Sequence, residues 1–169
     1  MSDPVIEHVD SLGVAYEIVA CEPDLADTAA FCDAYGFGLD ESANAIVVIG
    51  KSKPPVHVMC VVLADGRLDI NHTVRKRLGV RKASFASADE TVRLTSMEIG
   101  GVTPFGASTK LPVWIDARVM ECERVIVGGG GRDRKLLLPP TTLTKLDSAE
   151  VVEGLATQSD AGEAPRPGS

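Results

Sequence analysis

Two runs of apolar, largely β-branched residues, Ala43 to Ile49 and His57 to Leu63, do most to restrict the folds open to this chain. Their continuous apolar character predicts strands buried on both faces at the centre of a sheet. The link Gly50-Lys51-Ser52-Lys53-Pro54-Pro55 is short enough for a hairpin between them. Around this pair the other elements fall unevenly. Val5, Ile6, Val9 and Leu12 stand at helical spacing with Gly13 as the stop, and Tyr16 to Val19 alternates like a strand. Asp27 or Thr28 can cap a helix running to about Tyr35, because its side-chain oxygen can accept from first-turn amides, and Gly36 and Gly38 end it. Asp69 opens a helix carrying His72, Arg75, Lys76 and Arg77 and closed by Gly79; Arg81 to Ala86 reads as a short strand; Ser87 with Glu90 forms a capping-box pattern before a helix to about Thr95.

Farther on, Val113 to Val119 alternates with period two, as a strand with one buried face does. Strands at Arg124 to Val127 and Lys135 to Leu138 flank the run Gly128 to Gly131, Pro139-Pro140 opens a helix ending near Leu146, and Ala149 to Glu153 makes a last strand. Hairpins first, a meander later and helices inserted irregularly predict an α+β domain over residues 1–155. Its sheet is expected to be mixed, mostly antiparallel and partly closed, barrel-like, with surrounding helices. Residues 156–169, rich in Gly, Ala, Pro, Ser and acids, read as a disordered tail.

Composition narrows the functional classes. Aromatics make up 4% of the chain, too few for a base-stacking platform of several exposed rings. Cys21, Cys32, Cys60 and Cys122 are widely spaced and lack ligand-like His neighbours, so they suggest neither zinc nor a redox motif and predict buried thiols in a reducing compartment; no cofactor is expected. Asp3, Glu7 and Asp10 stand where a signal peptide would be basic, and no segment reaches membrane-spanning length; a cytoplasmic protein is expected. The net charge of -7 hides a segregation: residues 1–43 hold ten acids and no Lys or Arg, whereas residues 44–140 hold fifteen Lys and Arg against nine acids. A basic middle within an acidic chain can accept a local polyanion, or its charges can neutralise one another across the folded surface.

The stretch Glu98-Ile99-Gly100-Gly101-Val102-Thr103-Pro104-Phe105-Gly106 must be a loop, since glycine relaxes the backbone and proline has no amide hydrogen to donate. Missing side chains at Gly100 and Gly101 would let a ligand approach the main chain, or simply allow a tight turn. There is no G-x-S-x-G elbow, P-loop, H-E-x-x-H or dinucleotide fingerprint, and His8, His57 and His72 read as structural or solvated.

The succession of the two apolar runs, Asp69 to Arg81, Lys82 to Ala86 and then Leu94 through Gly106 resembles the YbaK family, also called the prolyl-tRNA-editing or aminoacyl-tRNA-synthetase-associated domain. Leu111-Pro112-Val113-Trp114-Ile115-Asp116 and Val127 to Leu138 are similar to the closing part of that domain, so the likeness extends over roughly residues 5–153. The resemblance implies hydrolysis of the ester of a mischarged aminoacyl-tRNA, with the loop Gly100 to Pro104 lining the aminoacyl pocket. Many members carry a lysine at the start of the first central strand; here Asn44 stands in its place. That exchange replaces a point charge by a neutral amide, and losing one such donor commonly costs about 3 kcal/mol of transition-state stabilisation. Lys51 and Lys53 read as solvated hairpin charges.

On this resemblance Asn44, Gly100 and Gly101 are the expected catalytic positions. Thr28, Val102, Thr103, Pro104, Phe105, Gly106, Asp116, Gly129 and Gly130 are expected around the substrate. Thr28 is equally explained by capping, Asp116 by an outward strand position, and the second glycine run by a bulge. Arg75, Lys76, Arg77, Arg81, Lys82, Arg132, Arg134 and Lys135 would contact tRNA phosphates. The implied partners are a mischarged aminoacyl-tRNA and a synthetase, with a homodimer allowed. Two other readings stay open: a binding protein that kept the fold but lost efficient hydrolysis at Asn44, and a structural or regulatory partner of a synthetase assembly.

Overall fold

A computed structural model describes residues 3–158. In chain order they form α1 (Pro4–Ser11), β1 (Glu17–Ala20), α2 (Thr28–Tyr35), β2 (Ala43–Gly50), β3 (Val56–Leu63), β4 (Gly66–Leu68), α3 (Arg75–Leu78), β5 (Ala83–Phe85), α4 (Ala88–Thr95), β6 (Val113–Asp116), β7 (Val125–Gly128), β8 (Arg134–Leu138), β9 (Ala149–Val152) and β10 (Ala156–Gln158). The expected hairpin is present: β2 and β3 pair antiparallel from Ala43 opposite Leu63 to Gly50 opposite Val56. They form the middle of a five-stranded sheet ordered β5-β2-β3-β6-β9, in which β6 runs parallel to both β3 and β9. A three-stranded antiparallel sheet, β1-β8-β7, and the pair β10-β4 complete the architecture.

Both faces of the hairpin are covered, which is why its sequence does not alternate. On one face Val47, Met59 and Val61 meet Val125, Val127, Leu136 and Leu138 of the three-stranded sheet, with Val5 and Val9 of α1 and Phe105 closing the cluster. On the other, Val48, Val58, Cys60 and Val62 pack with Trp114 and with Ile70 and Val74, a π-helical stretch that leads into α3. Burial pushes the Cys60 thiol up to about 12, and the four cysteines are unbridged.

Several elements depart from expectation. The sheets do not close into a barrel: β5 pairs with β2 only over Val48 to Gly50, and β7 meets its start only through the parallel bridge between Ser42 and Ile126. All four residues of β6 are buried, because Val113 and Ile115 enter one cluster and Trp114 the other, so the strand has no solvent face. Residues Ala117–Glu121 leave the sheet as a 3₁₀ turn, and the segment after Pro139 is likewise 3₁₀, Pro140–Lys145. Ser87 caps α4 by accepting from the Glu90 amide at 3.1 Å, but the Glu90 carboxylate turns to Arg93 and His57 instead of completing the box. The expected tail begins with β10, which pairs with β4; residues 159–169 lie outside the described residues. Among the described residues no helix is long and apolar enough to cross a membrane.

Candidate active site

Along one edge of β2, between the Ser42 bridge and the first β5 pair at Val48, no strand is present among the described residues. Into that gap opens a cavity of about 330 Å³. Its walls are residues 42–47 of β2 and the turn before it, Ile126 to Gly128 of β7, Asp27, Thr28 and Phe31 at the start of α2, Phe85 at the end of β5 with Ala86 after it, and Ile99, Gly100 and Val102 of the glycine loop. Main-chain groups on the open side of β2 therefore face the cavity rather than a neighbouring strand, and buried backbone groups of that kind take their partners from ligand or water.

Asn44 and Thr28 meet in this cavity: the Thr28 hydroxyl donates to Asn44 Oδ1 at 2.5 Å. With its oxygen engaged, Asn44 keeps its amide hydrogens for a ligand. Asp27 precedes α2 as its N-cap residue, but its carboxylate accepts from Arg132 Nη1 at 3.1 Å and makes no capping bond.

Lys135 corrects the expectation of a phosphate contact. It is 6% exposed and lines the same cavity as Asn44. Its Nζ donates to the carbonyls of Ala26 and Gly100, each at 2.6 Å, and stands 5.5 Å from the centre of the Phe31 ring. Among the described residues it makes no ion pair with a carboxylate. Burial lowers its pKa from the ordinary lysine value, partly opposed by the Cys21 thiol and Asp27. A buried ammonium held only by two carbonyls is costly unless something else needs its charge. Strand parity carried the missed signal: Lys135 shares a face of β8 with buried Leu137.

The glycine loop divides in two. Ile99, Gly100 and Val102 face the cavity. Gly101 instead abuts the second glycine run: Gly130 N–H donates to Gly101 O at 2.6 Å, Glu98 N–H to Gly130 O at 3.0 Å, and a Cβ on Gly101 would collide with the Gly131 backbone. Gly101 is thus small because two chain segments touch, and Gly129 and Gly130 lie behind the wall, whereas Gly128 lines it. From Thr103 onward the loop enters the core. Thr103 and Phe105 are fully buried, Pro104 is buried, and Gly106, at φ 74°, donates its amide to His8 Nδ1 at 2.8 Å. These four residues anchor the loop and do not line the cavity. Asp116 is also elsewhere, 1% exposed at the end of β6, neither outward nor in the cavity.

The expected phosphate contacts separate as well. Arg77 pairs with Glu150 at 2.5 Å over the Trp114 ring, Arg134 pairs with Asp3 at 2.6 Å, and Arg132 is held by Pro23 O, Ile99 O, Asp27 and, through its amide, Glu98. Arg75 gives its Nε to Asn71 O. Lys76, Arg81 and Lys82 are exposed and make no ion pair among the described residues. Among the described residues no group of three His, Cys, Asp or Glu side chains could hold a metal ion.

Comparison with known proteins bears on this arrangement. Residues 22–146 match the aminoacyl-tRNA editing domain. The uncharacterized protein YwhH of Bacillus subtilis (strain 168) is 25% identical over 135 residues, which span 80% of this chain and 83% of YwhH. The crystal structure of the hypothetical protein APE2540 superposes with a TM-score of 0.81 at 22% identity, covering 91% of this chain and 99% of that one. A candidate trans-editing enzyme for prolyl tRNA synthetase superposes with a TM-score of 0.78 at 21% identity, covering 94% and 99%. At these identities the structural likeness establishes the fold.

Proposed function

Since the chain belongs to the aminoacyl-tRNA editing domain family, we propose that it is a freestanding trans-editing deacylase, hydrolysing the ester of a tRNA mischarged with a small amino acid. The observation that carries this reading is the buried Lys135 ammonium in the cavity that also holds Asn44. When water attacks an ester carbonyl, negative charge develops on its oxygen. The third N–H of Lys135 and the amide of Asn44 are donors already fixed in a low-dielectric site, where such stabilisation is strongest. Lys135 thereby supplies, from β8, the positive charge that the resemblance expects at position 44. Among the described residues no histidine lines the cavity, and water activation is left to the substrate's own neighbouring ribose hydroxyl. A cavity of about 330 Å³, with the small side chains of Ala43 and Ala45 on one wall, has room for an aminoacyl group.

The second reading is a protein that binds aminoacyl-tRNA without efficient turnover, favoured by the neutral amide at Asn44. One experiment separates them: follow ester release from a panel of mischarged and correctly charged tRNAs. Accelerated release from a mischarged member is expected, reduced about 10²- to 10³-fold in Lys135→Met. Because the charged form of Lys135 is the active one, the rate should fall as pH rises through a pKa below the ordinary lysine value of 10.5. Binding without acceleration supports the second reading, and neither binding nor acceleration overturns both.

A further inference from the structure

Seven large apolar side chains are substantially exposed among the described residues, and two of them, Phe85 at 59% and Ile99 at 43%, line the cavity. The other five, such as Val151 on β9, do not line it and need no special account. Phe85 is the last residue of β5, opposite Val48, at the point where pairing along β2 stops. Ile99 comes from the glycine loop. The cavity therefore has an apolar rim with one exposed aromatic ring, above an interior that contains the polar groups of Lys135, Asn44 and Thr28.

The other end of the same strand is basic. Lys51 N–H donates to Lys82 O at 2.9 Å, extending the β2–β5 pairing by one step. That step brings Lys51, Arg81 and Lys82 together, all exposed and none ion-paired among the described residues. From Lys82 to Phe85 an extended strand covers about 10 Å. One short strand thus presents cations at one end and an exposed ring at the other, with the cavity beyond the ring.

Resting on the deacylase reading, we infer that β5 is the track for the single-stranded 3′ end of the substrate RNA: Phe85 stacks the terminal nucleobase, and Lys51, Arg81 and Lys82 hold phosphates farther from the terminus. A nucleobase suits the rim because its π-face needs no hydrogen-bond partner from the ring it covers. The chemistry also separates cleanly, since the base stays outside on the apolar rim while the ester enters the polar interior.

The test uses the full chain and RNA hairpins with a single-stranded CCA end carrying a 3′-amide-linked glycine, alanine or serine, which cannot be hydrolysed. A second set carries an abasic terminal nucleotide. The unaltered protein should bind the base-containing probe about tenfold more tightly than its abasic counterpart. In Phe85→Ala that difference should shrink below twofold, while Phe85→Trp and the control Val151→Ala retain it. Lys51→Gln and Lys82→Gln should weaken both probe sets equally. If Phe85→Ala keeps the tenfold discrimination, or responds instead to the identity of the amino acid, the stacking subsite is overturned and the deacylase reading stands. If the unaltered protein binds none of the acylated probes, both fall.

Discussion

Lys135 and Asp116 are both buried ionisable residues, and their surroundings assign them different work. Lys135 lines the cavity, its ammonium held by two carbonyls. Asp116 lies outside the cavity, and its Oδ2 finds no hydrogen-bond partner among the described residues. Burial pushes the Asp116 carboxyl up, opposed by the nearby Arg118, whose guanidinium is committed to Asp65 at 3.0 Å. A carboxyl raised above its unfolded value destabilises the native state above its folded pKa, and the penalty is relieved as pH falls through that pKa. Asp116→Asn, which removes the buried charge, should therefore raise stability at pH 7. Urea unfolding at pH 7 and then in mild acid should show the advantage narrowing, with deacylation unchanged. Neither assignment was plain from the sequence. Strand parity placed Lys135 beside buried Leu137, but its neighbours Arg132 and Arg134 made it look like part of a basic surface; Asp116 in an apolar run read as a site residue because the sequence does not show that the cavity lies elsewhere.

Among elements, the two glycine runs form one unit. Glu98 to Val102 and Gly128 to Gly131 touch through main-chain bonds, and their closeness leaves no room for a Cβ on Gly101 or Gly128. Gly101→Ala should cost about 2 kcal/mol by overpacking against the Gly131 backbone. Chemical denaturation would read the loss, and deacylation should fall too, since displacing Gly101 moves its cavity-lining neighbour Gly100. A variant as stable as the unaltered protein would show that the two runs can separate. The hairpin, the α2 span and the α4 cap were legible because periodicity and capping are local signals. The mutual approach of residues 101 and 131 was not, because it depends on distant segments that the fold alone brings together. The same limit hid the burial of β6, whose two faces are covered by separate clusters drawn from distant parts of the chain.

For the molecule as a whole, folding redistributes the charge that the sequence segregates. Asp3, Glu17 and Asp27 of the acidic first segment pair with Arg134, Arg124 and Arg132. Part of the basic middle is thereby neutralised, while Lys76 stays exposed on α3 and Lys51, Arg81 and Lys82 stay exposed at the hairpin end. RNA binding measured between about 50 and 200 mM salt should show a log–log slope flattened by roughly 0.7 for each phosphate contact removed. Replacing Arg81 and Lys82 together by glutamine should accordingly change the slope by about 1.4. Replacing Arg124, already paired with Glu17, should leave it unchanged.

The stretch of β2 whose second edge is unpaired among the described residues has an effect beyond making room. A guest seated there can satisfy main-chain groups that the empty protein leaves to solvent, acting as a temporary fourth side to an unfinished ribbon. The loaded form should then be the stiffer one, with the amide hydrogens of Ala45 and Val47, which point away from β3, exchanging more slowly while an acylated RNA end is held.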